Sequence, residues 1–159
     1  MLLYILRHAE AEAKIITDAE RRLTSHGHDQ ARAMGLFCSV RNIFPEFILT
    51  SPVVRAKQTA QEFVAVVKKG ELMEVPWMAC GMMPETALKE LRVYNKFESI
   101  MIVGHEPDLS GLIAILLGMN DAVALEVNKA SLTAIALKKM EPSSGVLKWS
   151  LPVEVIYGL

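Results

Sequence analysis

The sequence predicts an α/β protein of three layers, α/β/α, with a mostly parallel central sheet and an antiparallel edge. Three observations predict it. Short runs of Leu, Ile and Val alternate with longer segments of helical period. The apolar runs are nearly continuous, as in strands covered on both faces. Two runs near the C-terminus flank a turn signal and read as a hairpin.

Residues 2–6, Leu-Leu-Tyr-Ile-Leu, have the length and composition of a buried strand. Thr24 is placed to cap a helix over residues 25–40, in which Ala31, Met34 and Cys38 recur on one side. Residues 47–49 form a second strand that ends at Thr50-Ser51-Pro52, where Pro52 suits a first helical turn and Ser51 its cap. The next helix carries Ala60, Phe63, Val64 and Val67 at i, i+3, i+4 and i+7, an apolar stripe for one face of a sheet. Residues 72–75 are a shorter strand, and Pro84 opens a helix through residue 94 with Ala87, Leu91 and Tyr94 inward. Residues 99–103 read as a buried strand, after which Gly104-His105-Glu106-Pro107 turns the chain into a helix bearing Leu109, Leu112, Ile113 and Leu116. Residues 132–137 and 146–151 are the hairpin, around Glu141-Pro142-Ser143-Ser144-Gly145. The alternation of strand and helix places helices on both faces of the sheet.

With 159 residues, 52% apolar and 22% charged, the chain is expected to be one domain over residues 1–159 and not a disordered one. A chain of that size buries enough surface to need neither disulfides nor a structural metal. Seventeen Lys and Arg against 18 Asp and Glu leave a formal charge of −1, which argues against nucleic acid or an anionic membrane surface as partner. Cys38 and Cys80 have no CxxC or zinc-like spacing, so a reducing compartment, the cytoplasm, is expected. No apolar run approaches the roughly 20 residues of a membrane span. The N-terminus meets Arg7 and His8 at once and reads as a strand, not a signal peptide.

In open α/β sheets ligands sit beyond the carboxyl ends of the strands. Three predicted strands carry Arg or His there: Arg7-His8 after the first, Ser51 and Arg55 after the second, and Gly104-His105 after the strand at 99–103. An Arg-His dipeptide alone is common, and a capped helix explains Ser51 and Pro52. The bland reading must then be invoked three times, and it leaves Arg55 unexplained. Other clusters carry less. His26 and His28 lie two apart on a helix and do not face the same way, which argues for surface exposure and not a metal site. The nine methionines suit gap-filling in the core or at its rim. No glycine-rich phosphate loop or metal-binding carboxylate set occurs, so no cofactor and a metal-independent reaction are expected.

The chain resembles the histidine phosphatase superfamily, with its phosphoglycerate mutase-like fold, and within it the short SixA-type phosphohistidine phosphatases. The resemblance rests on Arg7-His8-Ala9, on Arg21-Arg22-Leu23-Thr24 with Gly27 and Gln30-Ala31, on the segment 51–60, and on Gly104-His105. It implies that His8 is a nucleophile that takes a phosphoryl group on a ring nitrogen and loses it to water. Positive charge nearby would keep the imidazole neutral, and a backbone carbonyl is expected on its other nitrogen to set the tautomer. The resemblance further implies that Arg7 and Arg55 bind phosphate and that His105 donates a hydrogen bond to the phosphoryl oxygens. Arg21 joins them by its place in Arg-x-Leu-Thr, with Arg22 as the neighbouring alternative. Ser51 is expected to be a helix cap and not a ligand.

Two departures from the family pattern matter. Its usual glycine after Arg-His is Ala9 here, and no motif places the carboxylic acid that protonates an alkoxide leaving group in many members. Glu10, Glu85 and Glu106 are the candidates, each also readable as a surface carboxylate. An imidazole leaving group depends less on an acid, and residues 72–90 leave little material for a lid. Both features point toward phosphohistidine on a protein, such as a histidine phosphotransfer domain. The alternatives are a small-molecule phosphatase or mutase on the same fold, and a phosphate-binding module without turnover.

Overall fold

The computed structural model describes residues 1–13 and 17–157. Six strands form one sheet: β1 (Leu2–Arg7), β2 (Phe47–Thr50), β3 (Glu71–Glu74), β4 (Ser99–Gly104), β5 (Leu132–Leu137) and β6 (Gly145–Leu151). Their order is β3-β2-β4-β1-β5-β6. The pairs β3/β2, β2/β4 and β4/β1 are parallel, whereas β5 runs antiparallel to β1 and β6 antiparallel to β5. The expected parallel sheet with an antiparallel edge is present.

Alternation along the central strands makes the three layers. Leu3 and Ile5 of β1 point toward α3 (Pro84–Leu91) and α4 (Asp108–Leu117), in a core with Ala87, Leu91, Leu109, Leu112 and Leu116. Tyr4 and Leu6 point the other way, toward α1 (Ser25–Val40) and α2 (Val54–Val67), in a core with Ala31, Met34, Cys38, Ala60 and Phe63. Among the described residues no helix is long and apolar enough to cross a membrane.

Several boundaries follow local chemistry. Thr24 caps α1 by accepting a hydrogen bond from the Gly27 amide at 3.0 Å. A Cβ at position 27 would lie 2.0 Å from the carbonyl oxygen of Glu10, so glycine there lets α1 press against the segment that follows His8. The helix from Pro84 ends at Leu91, and a 3-10 turn, Arg92–Tyr94, completes the span read as one helix. The expected cap at Ser51 is not there. Helix α2 starts at Val54 with Val53 in the cap position and no side-chain cap, and Pro52 lies outside its first turn.

Strand register then sets the site. Thr50 of β2 pairs with Val103, Leu6 pairs with Val103 from the other side, and Arg7 pairs with Gly104. The Ser51 amide donates to the carbonyl of Val103, and the His8 amide to that of Gly104, each at 3.0 Å. Three strands thus end level, and the residues after them, Ser51, His8 and His105, emerge side by side at one edge.

Candidate active site

His8 is held by both ring nitrogens. Nδ1 lies 2.7 Å from the carbonyl oxygen of Ala9, and Nε2 lies 3.2 Å from Nε of Arg55. A carbonyl only accepts and a guanidinium only donates, so Nδ1 carries the proton and Nε2 keeps its lone pair. The ring is buried, and its proton affinity falls to about pKa 3. Burial is the largest cause; the Ala9 carbonyl opposes it, while His105, Arg55 and Arg7 add to it. Positive charge alone was expected to keep His8 neutral, but desolvation contributes more.

His105 ends β4 on the neighbouring turn, its ring centroid 5.2 Å from that of His8. Its Nε2 is 2.8 Å from the hydroxyl of Ser51, and its Nδ1 is buried without a partner among the described residues. Burial first, then Arg55 and Arg7, lower its pKa to about 4, against the raising effect of Asp18. Ser51 is therefore a partner of His105, and its hydroxyl also accepts the Val53 amide at 3.2 Å.

The two arginines are held differently. Arg55, on the first turn of α2, is buried and uses all three nitrogens. Besides Nε to His8, one terminal nitrogen donates to the Asp18 carbonyl at 2.7 Å, and the other to Asp18 Oδ2 at 2.9 Å and to Cys80 Sγ at 3.5 Å. Arg7, half-buried at the end of β1, donates to the carbonyl of Val127 at 2.7 Å and leaves its buried Nε unpartnered. Burial lowers the Arg7 pKa, Glu106 raises it, and Arg55 lowers it further.

Arg21 stands one ion pair away. It donates to Asp18 Oδ1 at 3.0 Å and to the carbonyl of Glu12, while Arg22 is exposed. Asp18, unremarked in the sequence, thus joins Arg21 to Arg55, and its carboxyl sits below the ordinary range chiefly through the Arg21 hydrogen bond. Thr59 also escaped notice. Its hydroxyl donates to the Arg55 carbonyl at 2.7 Å and accepts the Ala9 amide at 3.0 Å, tying the His8 turn to α2. Ala9 fits without strain, buried and with no left-handed backbone.

Two of the three candidate acids hold helix starts and the third is exposed. Glu10 accepts the Thr24 hydroxyl at 2.7 Å, Glu106 accepts the Ser110 amide at 3.0 Å, and Glu85 is exposed on the first turn of α3. None of them hydrogen-bonds His8, Arg7, Arg55 or His105. His26 stacks on Tyr157 and His28 pairs with Glu62 at 2.7 Å, so the two point apart as expected. Among the described residues no three or more His, Cys, Asp or Glu gather as a metal site.

Residues 3–91 match the family model of the histidine phosphatase superfamily (branch 1). The phosphohistidine phosphatase SixA of Escherichia coli K12 is 27% identical over 126 residues, covering 73% of this chain and 74% of that protein. A solved structure of the protein histidine phosphatase SixA complexed with tungstate superposes with a TM-score of 0.89 at 21% identity, over 98% of this chain and 99% of the other. A phosphoserine phosphatase from Entamoeba histolytica, in complex with 3-phosphoglyceric acid, shares the fold at a TM-score of 0.74 and 18% identity, over 95% and 96%.

Proposed function

The chain belongs to the histidine phosphatase superfamily, branch 1, and from that premise we propose that it hydrolyses phosphohistidine on a protein through a covalent phosphohistidine on His8. One observation carries the reading. The two buried side-chain nitrogens without partners among the described residues, Arg7 Nε and His105 Nδ1, both belong to the cluster around His8. Unpaired buried polar atoms cost about 1–3 kcal/mol each, and a phosphoryl group offers the oxygens that would satisfy them.

The chemistry follows from the tautomer. Arg55 Nε–H leaves His8 Nε2 for a phosphoryl oxygen, and the freed Nε2 lone pair forms the new bond to phosphorus as the bond from phosphorus to the departing group breaks. Nδ1–H keeps its bond to the Ala9 carbonyl and disperses the positive charge that develops on the ring. Arg7, Arg55 and His105 face charge that spreads over three oxygens, the main demand of phosphoryl transfer. Water then attacks phosphorus, inorganic phosphate leaves, and His8 returns to its neutral form. Arg21 serves this site through Asp18 and Arg55.

Leaving-group chemistry supports a phosphoramidate. The carboxylate that touches the phosphate-binding arginine, Asp18, is held ionised by Arg21 and Arg55 and is a poor proton donor. Glu10 and Glu106 are engaged in holding α1 and α4. An imidazole leaving group tolerates that arrangement better than an alkoxide. The similarity to the protein histidine phosphatase SixA supports a protein-borne substrate, the free cysteines Cys38 and Cys80 suit a reducing cytoplasm, and a small phosphate ester is the alternative substrate. The deciding experiment offers a phosphohistidine-bearing protein, an aryl phosphate and common metabolite phosphates to wild type and His8→Ala. The phosphohistidine protein should turn over fastest, His8→Ala should be inert on all, and a chelator should change nothing. Preference for a metabolite ester, or activity lost on chelation, contradicts the proposal.

A further inference from the structure

We propose that Ser51 is a positioning residue that keeps the proton of neutral His105 on Nδ1, so that this ring presents a hydrogen-bond donor where its partner His8 presents a lone pair. The Ser51 oxygen accepts the Val53 amide at 3.2 Å and lies 2.8 Å from His105 Nε2. Ser51 is fully buried and His105 is 3% exposed. A hydroxyl has one proton, and its contacts here are an amide N–H, which can only donate, and the ring nitrogen. If Nε2 carried the ring proton, the hydroxyl would accept twice and its own proton would be stranded in the interior. With Ser51 donating to Nε2, every proton of the pair is used, and the ring proton moves to Nδ1.

The consequence appears at the other nitrogen. Nδ1 is buried with no partner, in a ring 5.2 Å from that of His8. As N–H it joins Arg7 Nε as a second donor awaiting an acceptor; as a lone pair it would repel phosphoryl oxygen. Protonating the whole ring would also supply a donor, but burial and two guanidiniums oppose a cation there. Fixing the tautomer supplies the donor without the charge. Local sequence disguises this role, because Ser-Pro before a helix is also a capping signal.

The role in transfer rests on the phosphatase reading, whereas the tautomer does not, and the test separates them. In 15N-labelled wild type at pH 7, the imidazole correlation spectrum should show His105 protonated on Nδ1 and bare on Nε2. Ser51→Ala should shift the ring toward Nε2–H and lower kcat on an aryl phosphate about tenfold to a hundredfold, with KM changing less. Ser51→Thr, which restores a hydroxyl, should recover both signals. A wild-type ring protonated on Nε2 overturns the proposal without any variant. So does a Ser51→Ala protein that keeps Nδ1–H and full kcat. If wild type shows Nδ1–H but turns over no phosphate compound, the phosphatase reading fails and the tautomer assignment stands.

Discussion

The turns after β1 and β4 leave adjacent parallel strands at the same edge, and each carries a buried histidine kept neutral. The first turn is saturated. His8 has a carbonyl on one nitrogen and Arg55 on the other, and Thr59 holds the amide of the next residue. The second is half-saturated, with Ser51 on one nitrogen of His105 and nothing on the other. The difference teaches how one residue type takes two roles. A ring whose proton is engaged by a backbone carbonyl keeps its lone pair on the other nitrogen, held here by Arg55, whereas a ring whose lone pair is engaged by a hydroxyl leaves its proton on an unpartnered nitrogen.

Removing each ring tests that division. His8→Ala should eliminate turnover to background while circular dichroism stays unchanged, because it deletes the atom proposed to bond phosphorus. His105→Ala should retain a measurable rate, lowered about 10²–10³-fold, the usual cost of one oxyanion-stabilising donor. Equal loss in both variants, with no residual rate for His105→Ala, would break the comparison.

Acidification acts on both turns together. A histidine with its folded pKa depressed, here to about 3 and about 4 against 6.5, binds more protons when unfolded, so stability is full above 6.5 and declines as pH falls toward those values. Between pH 7 and pH 5 each ring should cost roughly 2 kcal/mol, read from urea midpoints. The double variant His8→Asn, His105→Asn should show a flatter acid profile; an unchanged slope would mean the rings are not buried neutral.

The smallest effect separates the turns again. Thr59→Val strands the Ala9 amide and should lower stability by about 1–3 kcal/mol. That corresponds to a fall of a few degrees in Tm for a chain of this length. It should also reduce kcat, with the His105 imidazole signals unmoved. A shift in those signals would show that the two turns are coupled, not independent.

The central strands, α1 with its Thr24 cap and the C-terminal hairpin were legible because burial on both faces, capping and turn residues are each written in neighbouring positions. So were Arg7, His8 and His105, which mark strand ends, and Arg55, which a capped helix left unexplained. Several site contacts were not. Ser51 meets His105 across 54 positions of sequence, and its hydroxyl reads equally well as a cap. Asp18 looks like a loop carboxylate until the fold places it on Arg55, although its three-residue spacing from Arg21 was a usable hint. Val127 contributes only a backbone carbonyl to Arg7, which no side-chain pattern can reveal. Arg55 and Arg7 do lower the proton affinity of His8 as expected, but the larger cause, desolvation, was not legible, since arginines are visible in a sequence and burial is not.

The central claim is that His8 Nε2 bonds phosphorus, and rapid quench of wild type with a phosphohistidine-bearing protein tests it most directly. The account predicts a transient, acid-labile phosphate on one residue, located by mass spectrometry at His8 and by 31P–15N coupling at Nε2, and absent from His8→Ala. Turnover at the full rate with no phosphoenzyme, or with the label on another residue, would contradict it.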